Sequence, residues 1–297
     1  MAVRKWVVHG RIEGKTFLTK EKIGILHPGA MGVSIAASAQ NTGYTVYWAS
    51  EGRSQQTHDR ANTIHLQDLQ SVAKLCSTCS VIFSVCPPHA AEDVANAVLS
   101  YGFKGVYVDA NAISPQRTAR IAQTMTEAEV EFVDGGIIGG PAWTPGRTWL
   151  YLSGKAAQQV ASYFSAGPLE TSVIGDAAGK ASALKMCYAA YTKGTTALLS
   201  AILAVAEALS VREELANQWS RGGSDFAEQT NQRVRGVTAK AWRFTGEMKE
   251  IAATFEGVGM PGGFHLAAAE VYRRIADFKD AKEVPPLAKV LKALQVG

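Results

Sequence analysis

Apolar positions in the first half of the chain fall in short compact runs, and in the second half they spread over long helical stretches. Ile23-Gly-Ile-Leu26, Tyr44-Thr-Val-Tyr-Trp-Ala49, Val81-Ile-Phe-Ser-Val85, Gly105-Val-Tyr-Val-Asp109 and Val130-Glu-Phe-Val-Asp134 are rich in β-branched and aromatic residues. They read as strands. Residues 33–41, 66–75, 90–99 and 116–127 read as helices between them, and 149–152 and 172–174 as two later strands. Strands alternating with helices predict an α/β, doubly wound parallel sheet. Loops rich in glycine or proline follow several strands, at residues 27–32, 86–88, 111–115 and 135–141. In such a sheet those carboxyl ends are where ligands sit.

From about residue 177 the strand signals stop. Residues 180–211 predict one long helix, and 213–220, 226–235, 239–255 and 264–278 predict more. The chain therefore divides into a tail (1–21), a sheet domain (22–176) and an all-α C-terminal domain (177–297). The apolar stretch at 197–209 is too short to span a membrane and contains Glu207, so a buried helix is expected. A helix as apolar as 180–211 exposes more surface than a small domain covers, which predicts a homodimer built on it.

Composition narrows the function. The 297 residues, 47% of them hydrophobic, suit one large or two modest domains. Thirty basic against 26 acidic residues leave a net charge of +4 without a dense basic stripe, so neither nucleic acid nor membrane is an expected partner. Four cysteines do not make a disulfide framework at this length, and reduced thiols point to the cytoplasm. Cys76 and Cys79 have CxxC spacing, but no second pair or ligand histidines accompany them, so no metal is expected. Residues 1–21 are basic and lack the continuous apolar core of a secretory signal. A transit segment, an extra strand, a tail or residues added in expression remain open.

The strongest chemical signal is Lys22-Ile-Gly-Ile-Leu-His-Pro-Gly-Ala-Met-Gly32. A strand feeding a glycine turn and a helix N-terminus presents backbone N–H groups and a helix dipole to a dinucleotide pyrophosphate. Pro28, Gly29, Ala30, Met31 and Gly32 form this turn, and His27 takes the place of the first glycine of GxGxxG. After the second strand, Ser50, Arg53 and Ser54 offer a guanidinium fork and hydroxyls to a 2′-phosphate. Glu51 offers the contrary reading, an acceptor for a bare ribose. The balance favours NADP(H). Cys86 and Pro87, after a central strand, and Asn111, after the next, complete the expected cofactor groove. Cys86 reads as packing rather than as a nucleophile.

The pattern resembles the β-hydroxyacid dehydrogenase family, related to 6-phosphogluconate dehydrogenases and imine reductases. The likeness runs over most of residues 22–280. Pro28-Gly-Ala-Met-Gly32 is similar to the family's Gly-x-Met-Gly turn. Asp109-Ala-Asn-Ala-Ile-Ser-Pro115 falls on its Asp-x-Ser-Thr-x-x-Pro loop, and Asp134-Gly-Gly-Ile-Ile-Gly-Gly140 on its Asp-Ala-Pro-Val-Ser-Gly-Gly loop. Gly179-Lys-Ala-Ser-Ala-Leu-Lys185 falls on the segment that carries a catalytic lysine. The resemblance implies a Rossmann domain, a small-molecule hydroxyacid substrate and Lys185 as general acid/base. Apolar neighbours would lower the Lys185 pKa towards neutrality; without the resemblance, a snorkelling lysine is the plainer reading.

Asn111, Gly139, Gly140, Tyr188 and Trp242 are the candidate substrate contacts, with Phe244 and His265 as further candidates to close the site. The chain also departs from the family. Its asparagine one turn after the lysine is Ala189, and the lysine of its later Lys-Asp-Leu segment is Gly246. Three functions therefore stay open: an NADP-dependent hydroxyacid dehydrogenase, an imine reductase, and a catalytically idle NADP-binding protein.

Overall fold

A computed structural model describes residues 21–295, so the expected tail lies, apart from Glu21, outside the described residues. Eight strands form one sheet: β1 (Ile23–Ile25), β2 (Val46–Trp48), β3 (Gln67–Asp68), β4 (Val81–Ser84), β5 (Val106–Asp109), β6 (Glu131–Gly139), β7 (Thr148–Ser153) and β8 (Glu170–Val173). Their order is β3-β2-β1-β4-β5-β6-β7-β8. The chain reverses direction across the sheet between β1 and β4, which pair directly, and that crevice is where a doubly wound sheet takes its ligand. Helices α1 (Ala30–Asn41), α2 (Gln55–Thr63), α3 (Val72–Thr78), α4 (Ala91–Ser100), α5 (Pro115–Glu127) and α6 (Ala157–Ser162) connect the strands.

Alternate side chains of the central strands supply two apolar layers. Ile23, Ile25, Val81, Phe83, Val106 and Val108 pack on one face with Ile35 and Trp48. Ile82, Tyr107 and Phe132 pack on the other with Leu75, Ile121 and Met125. Cys76 and Cys79 belong to this second layer as free thiols, and burial pushes them up to about 11 and about 12. They are packing residues.

Two sequence expectations change here. Residues 66–75 are not one helix. His65 and Gln70 take positive φ, Gln67–Asp68 pairs with β2, and α3 starts only after Ser71, whose Oγ accepts from the Lys74 N–H at 3.3 Å. Residues 135–139 are not a loop either. They continue β6, which pairs antiparallel with β7, so the sheet is parallel-dominated rather than wholly parallel. The hairpin bends at Gly139, where φ is +124° and a side chain would run into the Arg147 carbonyl oxygen. Gly139 is thus required by the hairpin; Gly140, exposed, has no neighbour that a Cβ would meet.

The C-terminal region is helical: α7 (Lys180–Ala189), α8 (Thr195–Ala208), α9 (Arg212–Trp219), α10 (Phe226–Gly236), α11 (Ala241–Glu256), α12 (Gly263–Arg274) and α13 (Leu287–Gln295). The last of these carried no sequence expectation. Helices α7 and α8 are joined by a wider π-type turn at Ala190–Gly194, so the predicted long helix is continuous but bulged. The combined span Lys180–Ala208 is long and apolar enough to cross a membrane by length and composition. Yet Met186, Ala189, Ala197, Leu203 and Ala204 pack into a core with Met248, Ile251, Tyr272 and Val290.

Helix α11 ties the two regions together. Glu250 accepts from the Ser114 N–H at 2.9 Å and from Arg117 Nη1 at 2.7 Å, capping and pairing the start of α5. Helix α7 ties them a second time, lying directly on β6. A Cβ at Gly136 would sit 2.5 Å from the Ala181 carbonyl oxygen and 3.2 Å from Lys185 Cβ. Only glycine permits this approach. Gly136→Ala must push α7 off the sheet and is expected to cost about 1–3 kcal/mol of stability. Chemical denaturation checks it; an unchanged midpoint would mean that the contact is not tight.

Candidate active site

The glycine turn fits a dinucleotide. Helix α1 begins after Gly29, and no side chain caps it, leaving its first-turn N–H groups without a side-chain acceptor. At Gly29 a Cβ would meet nothing within 4 Å, so the approach to the turn is open. At Gly32 a Cβ would collide with the His27 carbonyl oxygen, so this glycine sets the close strand–helix packing. His27-Pro28 makes the turn that the missing glycine would otherwise make, with the Gly29 N–H donating to the His27 carbonyl at 2.8 Å.

Arg53 reaches this turn from the end of β2. Its charge acts on both His27 and Cys86, and its Nε is buried without a partner. Burial, and then Arg53, holds the His27 imidazole down at about 4, so it is neutral at physiological pH, and its Nδ1 is likewise buried and unpartnered. Two polar nitrogens without partners at a helix N-terminus fit an anionic ligand. Ser50 lies half-buried in the same loop. Ser54 lies exposed beside Thr57, their hydroxyls 3.1 Å apart, immediately before α2.

The next two strand ends form the floor. Asn111 is 3% exposed. Its Oδ1 accepts from the Cys86 N–H at 2.6 Å, its Nδ2 donates to Ser84 Oγ at 3.2 Å, and its backbone N–H donates to Asp109 Oδ1 at 2.9 Å. The amide therefore braces the β4 loop against the β5 loop and keeps one Nδ2–H for a ligand. Burial pushes Asp109 up to about 7 and Cys86 up to about 11. A thiol that high is not an activated nucleophile. Pro87 directly follows and leads into the turn that starts α4.

The third part is Lys185 and what holds it. Asp134, at 0% exposure, sends its carboxylate into the N-terminus of α7. It accepts from the Gly179 N–H at 2.8 Å, the Ser182 N–H at 3.0 Å, Ser182 Oγ at 2.6 Å and Ser153 Oγ at 3.0 Å. Burial raises its pKa, and the four hydrogen bonds work against that rise. One and a half turns along α7, Lys185 Nζ donates to the Ile137 carbonyl oxygen on β6. Burial first, and then the charge of Arg243, lower Lys185 to about 8. The amine is thus poised to exchange a proton near neutrality.

Beside it lies an ion pair that the sequence did not reveal. Lys193, at the π-type turn, bonds Glu247 on α11 and lies 4.5 Å from the Phe244 ring centroid. Glu247 occupies the aspartate position of the altered Lys-Asp-Leu segment, so the acid is kept while its lysine is gone. Phe244 and His265 are core residues, Phe244 against Tyr272 and His265 against Phe255. The aromatic cluster considered for closing the site is therefore dispersed. Trp242 is exposed, with Lys279 Nζ 4.4 Å from its ring centroid, and Tyr188 is exposed one turn beyond Lys185. Asp134, Lys193, Glu247 and Arg243 were missed as site residues. Asp134 had a signal in the segment it opens, residues 134–140; Lys193, Glu247 and Arg243 had none beyond being charges in helical stretches.

Comparison with known proteins agrees with the fold. Residues 22–163 match the family described as the NAD binding domain of 6-phosphogluconate dehydrogenase, and residues 206–275 match a domain of unknown function, DUF1932. An uncharacterized 28.5 kDa protein from the 7S RNA 5′ region of Methanothermus fervidus is 32% identical over 203 residues, 68% of this chain and 78% of the relative. The solved structure of the conserved protein MTH1747, of unknown function but described as similar to 3-hydroxyacid dehydrogenases, is 28% identical with a TM-score of 0.64, over 86% of this chain and 97% of that one. Two others share the fold. A Mycobacterium tuberculosis 3-hydroxyisobutyrate dehydrogenase has a TM-score of 0.66 at 15% identity, over 93% of this chain and 99% of its own. An imine reductase variant from Myxococcus stipitatus, solved with NAD+, has 0.54 at 16%, over the same shares. The chain belongs to the 6-phosphogluconate dehydrogenase-like family, in the form that joins an N-terminal NAD-binding domain to a DUF1932 domain.

Proposed function

We propose that the protein is an NADP(H)-dependent oxidoreductase that moves a hydride between the nicotinamide and the carbinol or carbonyl carbon of a small hydroxyacid-like substrate. The observation that carries this reading is Lys185, held on the Ile137 carbonyl at a strand end and lowered to about 8. The bound nicotinamide supplies the hydride acceptor or donor. The residues of the chain do the rest. Residues 28–32 bind the pyrophosphate, Arg53 with Ser50 and Ser54 takes the 2′-phosphate, and the Asn111 brace with Cys86 and Pro87 shapes the groove. Substrate lies near Asn111, the Gly139-Gly140 bend and Tyr188; Trp242, against Lys279, is left out of the site. In oxidation, Lys185 Nζ takes the hydroxyl proton as the C–H hydride leaves and C=O forms; in reduction the ammonium returns it.

The protein is proposed to work in the cytoplasm as a homodimer. Free cysteines suit a reducing compartment. Val205 (57% exposed) and Leu209 (67%) border an apolar groove of about 350 Å³ formed by α8, α9 and the link between them. The division at residue 176/177 is proposed as the domain boundary.

Four results test this. In a panel of oxo-acids and cyclic imines with NADPH, an oxo-acid should turn over and Lys185→Ala should lose ~10²–10⁴-fold in rate. Reduction, which needs the ammonium, should fall as pH rises through about 8, and oxidation, which needs the free amine, should rise over the same range. Turnover of imines alone would overturn the substrate class, and full activity of Lys185→Ala would overturn the role of the lysine. Arg53→Ala should weaken NADPH by ~10–100-fold and NADH less, since only NADPH also brings a 2′-phosphate to this guanidinium. Equal losses would refute that role. In sedimentation velocity the wild type should run as a dimer and Val205→Glu as a monomer. A monomeric wild type would refute the interface.

A further inference from the structure

We infer that Arg243 is the specificity-determining residue of this site: the fixed cation that takes the carboxylate of the substrate while Lys185 handles its proton. The inference rests on the proposed role of Lys185 and adds what kind of molecule that lysine serves.

Four observations on α11 converge. First, Arg243 lies two helical turns before Glu250, on the same face of the helix. Glu250 is fixed on Ser114 and Arg117 at the start of α5, and Glu247, between them, is fixed on Lys193. The face that carries Arg243 is therefore the one turned towards the sheet domain and α7. Second, the guanidinium is near enough for its charge to act on both Lys185 and Lys193. Third, the cluster of Lys185, Lys193 and Arg243 is short of anions. Glu247 serves Lys193, and among the described residues no carboxylate pairs with Lys185 or Arg243. Fourth, at Gly246, one turn along from Arg243, a Cβ would meet nothing within 4 Å. That space is open three residues along the helix from the cation.

Lys185 is buried without a carboxylate partner, and Arg243 is exposed enough to reach a ligand, an arrangement that favours a ligand bringing its own anion. A planar guanidinium matches a carboxylate through two parallel N–H···O bonds, which orients the ligand as well as attracting it. The open space at Gly246 admits a short chain. The substrate class is then a small oxo- or hydroxyacid whose carboxylate sits on Arg243 and whose reacting oxygen faces Lys185 Nζ.

Malonate is a suitable probe, since it carries the carboxylates and no reducible carbonyl. Its binding to the full-length protein saturated with NADP+ is measured by calorimetry, beside neutral malonamide. Wild type should bind malonate, Arg243→Gln should weaken it by ~10-fold or more, and Arg243→Lys should restore part of the loss. Malonamide should be insensitive to either change. The midpoint of Lys185 titration should also rise in Arg243→Gln, because a neighbouring positive charge is removed. A purely structural Arg243 would move malonate and malonamide together. That result, or equal malonate affinity in wild type and Arg243→Gln, or no malonate binding to the wild type, would overturn the inference. Malonate binding with no oxo-acid ever reduced would instead count against the hydride-transfer reading alone.

Discussion

The candidate site depends on the carboxylate of Asp134. It is wholly buried at the middle of β6 and accepts four hydrogen bonds, two of them from backbone N–H groups at the start of α7. A helix N-terminus buried without acceptors is costly, and an unpaired buried carboxylate is costlier. Each solves the other's problem, and the helix dipole favours the arrangement. The consequence is geometric. Helix α7 is pinned to the sheet where Gly136 leaves room for it, and Lys185 is delivered to the Ile137 carbonyl. Thr118 on α5 joins the same network through Ser182 Oγ at 2.9 Å, so α5, α7 and the sheet share one polar knot.

A second feature is the separation of charge. At the glycine turn, Arg53 meets a neutral His27 and no carboxylate. Lys185 on α7 and Arg243 on α11 have a single acid near them, Glu247, already taken by Lys193. Both places are thus short of anions among the described residues, and a phosphorylated dinucleotide with an acidic substrate would supply them. The net charge of +4 is too small to have shown this; its placement is what matters.

Much of the fold was legible. Compact β-branched runs gave β1, β2, β4 and β5 within a residue or two, because buried parallel strands have a strong local signature. The glycine turn was legible for the same reason, its residue types being demanded by backbone geometry. What was not legible required partners distant in sequence. Gly135 to Gly139 look like a loop by composition, yet they are a strand, because α7 and β7 need bare backbone on either side. Asn111 looked like a ligand-binding amide, and its brace to Ser84 and Cys86 depends on a neighbouring strand end. Arg243 was invisible in a segment compared for a lysine at position 246. Its place became apparent only once α11 was seen docked through Glu250 and Glu247.

Asp134, through α7, is expected to set the proton affinity of Lys185. The direct measurement is the pH titration of the Lys185 amine in the intact protein, by NMR of ¹³C-dimethylated lysines assigned with Lys185→Arg, in wild type and in Asp134→Asn. The wild-type midpoint is expected at about 8, where burial and then Arg243 hold it. In Asp134→Asn the midpoint moves towards the ordinary lysine range as α7 loosens and the amine becomes hydrated. A wild-type Lys185 that titrates with the surface lysines would contradict it.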